Sequence, residues 1–234
     1  MLILAFETTA KAGSVALTEN GKLLGEFYQN TGLTHSQTLL SMAEQLIKTC
    51  GYTPGDVTAV AVAAGPGSFT GVRIGVSAAK GFAWGRELPC YGVSTLHAMA
   101  LQLGAWDGLV VGAMDARRSQ VYTATFEAHA GALTRLTEDR AISLQQLGDD
   151  LKKAEKPVFL VGDGSILCYN TLRETVPGLV LPAEHRMHQR SCGVAIAAAE
   201  MIRQGLPADG AALTPNYLRL SQAERERLEK LNNR

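Results

Sequence analysis

The side chains best placed for chemistry lie at the ends of apolar runs. Leu2–Phe6 ends in Glu7-Thr8-Thr9, and Leu109–Met114 ends in Asp115-Ala116-Arg117-Arg118. The Asp115 carboxylate could contact a metal-bound phosphate or a sugar hydroxyl, and the arginines could clamp phosphate or carboxylate. Equally, Asp115 could pair with an arginine as a purely structural turn. Two glycine turns accompany these ends: Gly65-Pro66-Gly67-Ser68, with Gly71 close behind, and Gly162-Asp163-Gly164. A glycine-rich turn after a buried strand and before a helix suits an anion, because free N–H groups point outward there. It also suits a tight turn that needs glycine only for its dihedral angles. The sequence leaves both readings standing.

Other chemistries find less support. His35, His97, His129, His185 and His188 include no pair at the i, i+4 spacing of a helix-borne metal site, so none is expected. Ser68 does not sit in a Gly-x-Ser-x-Gly elbow. The four cysteines are far apart and form no Cys-x-x-Cys pair, which reads as reduced thiols. Lys plus Arg and Asp plus Glu both number 22, a balance that argues against strong general affinity for nucleic acid. The apolar start is too short for a signal peptide and no run is long enough to span a bilayer, so a soluble cytoplasmic protein without membrane association is expected.

The elements that position these groups occur twice. In the first half, Leu2–Phe6, Ser14–Thr18 and Leu23–Tyr28 read as strands, with Asn20-Gly21 as a tight hairpin turn. A helix over 36–50 follows, with Thr34 and Gln37 as a capping box and Gly51 as its stop. Val57–Ala64 reads as a strand buried on both faces, and a helix over 71–86 follows the glycine turn. The second half repeats the order through Val121–Phe126, Leu133–Leu136, a helix from Ser143 with Gln146 as its capping partner, and Val158–Val161. The pattern in each half is therefore βββαβα, an α/β fold with mixed sheets flanked by helices. Ligands of such sheets bind beyond the carboxyl ends of strands, so one cleft should gather Glu7, Thr8, Thr9, Gly65, Gly67, Ser68, Asp115, Arg117, Arg118, Gly162, Asp163 and Gly164. The boundary is expected at 106/107, with units at 1–106 and 107–214 and a final helix over 221–231, begun by Ser221 and Glu224, packing back on the first.

The helix over 71–86 carries apolar residues around too much of its circumference for one buried face, adds Gly75, Ala78, Gly81 and Gly85, and pairs with the helix over 36–50. Such a pair could present a patch to a partner protein. It could also be the centre of a single folded unit.

Taken together, Ile3-Leu4-Ala5-Phe6-Glu7-Thr8-Thr9, His35-Ser36-Gln37-Thr38-Leu39-Leu40, Gly65-Pro66-Gly67-Ser68-Phe69-Thr70-Gly71 followed by Arg73-Ile74-Gly75, Ala113–Arg118 and Pro215-Asn216-Tyr217-Leu218-Arg219 resemble the bacterial TsaB (YeaZ) family. The resemblance covers almost the whole chain. It implies two tandem actin/Hsp70-like (ASKHA, RNase H-like) domains. It also implies a role in forming N6-threonylcarbamoyladenosine beside the anticodon of tRNAs that read A-starting codons. The catalyst of that transfer is the paralogue TsaD, which holds a metal through two histidines in an HxxxH motif; here those positions read Thr95 and Met99. The implied role is therefore a non-catalytic partner of TsaD, joined by the ATPase TsaE and reaching tRNA through the complex, with a homodimer when alone. The implied interface comprises His35, Leu39, Leu40, Ala43, Leu46, Ile47, Val72, Ile74, Gly75, Val76, Ala79 and Phe82. ATP or ADP could sit at the interface with partners, but the segment Glu7–Gly13 lacks the Asp-x-Gly of ATP-using relatives, which argues against independent nucleotide binding. The competing readings are a small-molecule kinase with Asp115 as base, a metallopeptidase, and a homodimeric interaction module.

Overall fold

A computed structural model describes residues 1–103 and 106–219; the helix expected over 221–231, with its Ser221–Glu224 cap, lies outside them. The first sheet has strand order β3-β2-β1-β4-β5, built from β1 (Leu2–Glu7), β2 (Gly13–Glu19), β3 (Lys22–Gln29), β4 (Ala59–Gly65) and β5 (Cys90–Ser94). β2 runs antiparallel to β1 and β3, while β1, β4 and β5 are parallel. Asn20 and Gly21 both adopt positive φ, as the expected hairpin turn requires.

Strand alternation sends two kinds of side chain to the two faces. Leu4, Phe6, Val60 and Val62 pack with α1 (His35–Thr49) and α2 (Phe69–Trp84). Ile3, Ala5, Ala59, Ala61 and Ala63 meet the other layer, whose helix contributes Ala195, Ala197 and Ala198. The small residues on both sides let helix and sheet approach closely.

The second sheet has order β11-β10-β6-β7-β8, with β9 beside β7. Between β5 and this sheet lies α3 (Thr95–Leu101), and the sheet comprises β6 (Gly108–Asp115), β7 (Gln120–His129), β8 (Ala132–Arg135), β9 (Arg140–Ser143), β10 (Val158–Val161) and β11 (Leu179–Val180). Helices α4 (Leu144–Leu151) and α5 (Ser165–Leu172) share its core with Val111 and Leu160. The expected repeat is present, with β9 as an added strand. α6 (Ser191–Arg203), which falls within 107–214, lies on the first sheet, and Leu213 joins the first core. The α6 start is fastened there: Ser191 N donates to Ser14 Oγ at 2.8 Å, Cys192 N donates to Glu26 Oε1 at 3.0 Å, and Arg190 pairs with Glu26.

One expected cap differs. Thr34 makes no side-chain bond at the start of α1; Gln37 N donates to the Thr34 carbonyl instead. The His35 ring anchors that helix end, with Nε2 2.8 Å from the Ala10 carbonyl. Ser143 Oγ does accept from Gln146 N, as its spacing predicts.

Candidate functional site

The carboxyl ends of the two sheets border a cleft of about 500 Å³. Thr9, Gly67, Ser68, Asp115, Arg117 and Asp163 line it, as the sequence leads one to expect. The remaining cleft candidates are not on its wall. Thr8 is buried, and its Oγ1 donates to the Gly71 carbonyl at 2.8 Å, locking the end of β1 to α2. Gly65, Gly162 and Gly164 serve backbone packing. A Cβ on Gly162 would lie 2.2 Å from the Ala113 carbonyl oxygen, and one on Gly164 would lie 2.9 Å from Asp115 N.

The first glycine turn has the same explanation. A Cβ on Gly67 would stand 2.5 Å from the Thr9 carbonyl oxygen, and one on Gly71 would stand 2.1 Å from that of Thr8. Ser68 N already donates to Thr9 O at 2.6 Å, and Ser68 Oγ accepts from Gly71 N as the α2 cap. The dihedral reading fits Gly65, at φ +117°, while Gly67 and Gly71 have no positive φ and are required instead by the close approach of backbones.

Glu7 lies beneath the cleft, fully buried. Its Oε1 accepts from Thr9 N at 2.6 Å, while Oε2 has no partner among the described residues. Burial pushes the carboxyl up to about 7, and the nearby charge of Asp163 adds to the rise. Asp163 Oδ1 accepts from Gln189 Nε2 at 2.9 Å, and burial of its carboxyl, with Asp115 close by, raises its pKa too. Asp115 Oδ1 accepts from Arg117 N at 2.7 Å, so its carboxylate braces its own turn. Arg117, Arg118 and Ser119 all have positive φ in that turn, an unusual run for residues with a Cβ.

The opposite wall was missed as a site. Residues 215–219 pass the carboxyl end of β4 and cross to the second sheet. Asn216 N donates to Ala64 O at 2.7 Å, and Arg219 Nη1 donates to Ala116 O at 2.6 Å. Tyr217 stacks on Phe69 with ring centroids 4.6 Å apart, and its hydroxyl accepts from Arg73 Nε at 2.7 Å. Arg73 also covers the Phe69 ring at 3.8 Å. The aromatic and arginine within an extended connector were the available signal.

The α1–α2 surface needs a correction. Leu39, Ala43, Leu46, Ile47, Val72, Gly75, Val76 and Ala79, expected at a partner interface, are buried in the chain's own core. Of these only Leu39 borders the groove between the two helices; the rest present almost no surface of the chain to a partner. Leu40 is exposed, and His35, Ile74 and Phe82 are half-buried. With Arg73, Ser77 and Ala78 they border a shallow groove of about 440 Å³ between the helices, apart from Phe82 farther along α2.

Thr95 and Met99 are both fully buried, Met99 among Leu96, Ala100, Leu103 and Phe126. His97, between them, stacks on Phe126 at 5.6 Å, and burial lowers its pKa. Among the described residues no three His, Cys, Asp or Glu side chains stand where they could hold a metal ion. Among the same residues no helix is long and apolar enough to cross a membrane.

Comparisons with known proteins agree with this architecture. Residues 29–227 match the family model "TsaD: tRNA N6-adenosine threonylcarbamoyltransferase". The tRNA threonylcarbamoyladenosine biosynthesis protein TsaB of Bacillus subtilis is 33% identical over 98% of this chain and 99% of its own length. TsaB of Escherichia coli is 41% identical over 61% of this chain and 62% of its own. The solved structure of YeaZ from Pseudomonas aeruginosa superposes with a TM-score of 0.76 at 25% identity, covering 93% of this chain and 99% of that one.

Proposed function

We propose that this chain, which belongs to the TsaB (YeaZ) family of tRNA threonylcarbamoyladenosine biosynthesis, acts as a non-catalytic partner of a TsaD-like transferase. The observation that carries the reading is the fate of two positions. Where the family's catalytic paralogue is expected to hold metal through histidines, this chain has Thr95 and Met99, and both side chains are packed out of reach of solvent. Threonine is a weak ligand and methionine prefers soft metals. The cleft supports the same view, since Asp115 and the glycine turns are engaged in holding the fold.

Partner binding is assigned to the exposed rim of the α1–α2 groove: Leu40, Arg73, Ile74, Ser77, Ala78 and the outer edge of Phe82, with Gly81 close by. A TsaE-like ATPase joins the pair, tRNA is reached through the complex, and the same rim forms a homodimer when the transferase is absent. ATP or ADP, if bound, sits where partners meet. The protein works in the cytoplasm. Two units divide at 106/107, with α6 and residues 204–219 counted with the first.

Light scattering on the full chain mixed with a TsaD-like protein tests the interface. The expected result is a heterodimer with the unaltered chain and separate species with Ser77→Arg, whose own melting temperature stays near that of the parent. A heterodimer that survives both Ser77→Arg and Leu40→Asp would contradict the assignment.

A further inference from the structure

Charge balances over the whole sequence, but it is not spread evenly around the cleft. Lys11 after β1, Arg117 after β6 and Arg219 on the connector all line it. Arg118 follows Arg117 in the same turn. The carboxylates on that wall, Asp115 and Asp163, each accept a hydrogen bond from the chain itself, from Arg117 N and Gln189 Nε2. Lys11 and Arg117 are exposed, so their charges face the mouth of the cleft.

An aromatic pair stands beside these cations. Phe69 and Tyr217 are both on the wall, stacked at 4.6 Å, and Tyr217 is 40% exposed. Arg73 steadies the pair, bonded to the Tyr217 hydroxyl and lying over Phe69. The turn that carries two of the arginines is costly to hold. Arg117, Arg118 and Ser119 have φ of +66°, +55° and +55°, fixed by bonds from Gln120 N to Arg117 O and from Leu144 N to Ser119 O. Such outliers gather where a chain clamps a ligand.

The backbone argues against a small nucleotide as that ligand. Its phosphates would need a cradle of free N–H groups. Here Ser68 N donates to Thr9 O, Gly71 N to Ser68 Oγ, Gly164 N to Ala113 O and Arg117 N to Asp115 Oδ1. Those amides are spent. Cations on three separate segments suit an anion that extends along the rim, and an aromatic stack beside them suits a base.

We propose that the rim of this cleft binds a single-stranded stretch of RNA, with Lys11, Arg117, Arg118 and Arg219 along its phosphates and one base on Tyr217. The proposal deepens the reading above, from which it takes RNA as the nucleic acid. It adds that this chain touches the RNA itself.

Fluorescence anisotropy of a labelled anticodon stem–loop RNA, titrated with the full chain at low salt, tests the surface. A Kd on the order of 10 μM is expected, with a log–log salt slope of about −2 to −3, as three or four neutralised phosphates require. Lys11→Gln and Arg117→Gly should each weaken binding roughly three- to ten-fold and make the slope shallower by about 0.7. Arg117→Gly also relieves a positive φ, so its melting temperature should not fall below the parent's. Tyr217→Leu should weaken binding about ten-fold, while Tyr217→Phe should keep it. Lys152→Gln, on the far helix α4, should change nothing. No binding at low salt, or binding that ignores Lys11→Gln, Arg117→Gly and Tyr217→Leu, would overturn the proposal. So would equal affinity for a fully paired RNA duplex, or displacement of the RNA by ADP at equal phosphate concentration. The titration contains no partner protein, so its failure is distinct from failure of the heterodimer.

Discussion

The two glycine turns do the same backbone work and differ in what stands beside them. Each sits on the end of the first strand of its half so closely that a Cβ would strike a carbonyl oxygen: Thr9 and Thr8 for Gly67 and Gly71, Ala113 for Gly162. The first turn is backed by residues 215–219, through Asn216 at Ala64 and Tyr217 on Phe69. The second carries Asp163, tied to Gln189, with its charge near enough to add to the rise in the Glu7 pKa. One turn has become a seat for the chain's own connector, and the other has kept a charged group at the cleft floor. The two turns share the packing requirement and differ in their chemistry.

Substitutions can break that comparison. Gly162→Ala should be the most damaging, because it combines a 2.2 Å clash with a φ of +115°. Gly71→Ala meets a 2.1 Å clash with backbone that cannot move without displacing β1. Losses of roughly 3 kcal/mol or more are expected for both, read as a lower urea midpoint. If Gly71→Ala is nearly neutral, the first turn is not seated as described and an anion-binding role for it revives.

Glu7 separates the turns by pH. Its folded pKa of about 7 lies above its ordinary value of 4.5, so the folded state holds the proton more tightly than the unfolded one. Its contribution should favour the folded state fully below pH 4.5 and be lost as pH rises through 7, a difference of about 3 kcal/mol. Glu7→Gln should flatten that part of the stability profile. A profile unchanged by Glu7→Gln would mean the carboxylate has a countercharge already.

Arg219→Ala tests the connector on the first turn's side. Loss of its bond to Ala116 O should lower stability by about 1 kcal/mol. Smallest of all is Gly81→Ala. That exposed helical position has open space around it, so the folded chain should gain roughly 0.5–1 kcal/mol in a thermal melt. The same change should weaken the proposed heterodimer if a partner packs closely there.

Periodicity and turn chemistry made much of the fold legible. Asn20-Gly21, Gly51 and the Ser143–Gln146 cap all behave as their residue types dictate, and the repeated strand order is present. What could not be read was which side of a helix faces which layer. Leu39, Leu46, Val72 and Val76 share helical spacing with a partner-binding stripe, but sheet one claims them first. Burial is decided by tertiary packing, and a helix covering an apolar sheet needs as broad an apolar face as one that binds a partner. The same limit hid where α6 packs, though not its alanine-rich helical pattern, because its alanines match the alanine face of β4 only once the sheet is formed. At the cleft, strand-end residues were visible because position alone marks them. Gln189 and residues 215–219 were not, because long-range contacts bring them there.

The central claim, a partner that is required but does not itself catalyse, is tested most directly by reconstituted threonylcarbamoyl transfer to unmodified tRNA. TsaD- and TsaE-like proteins are supplied, and this chain is present, omitted or used alone. Transfer that needs this chain, with none from the chain alone, is the predicted result. Full transfer without it, or transfer by the chain alone, would contradict the account.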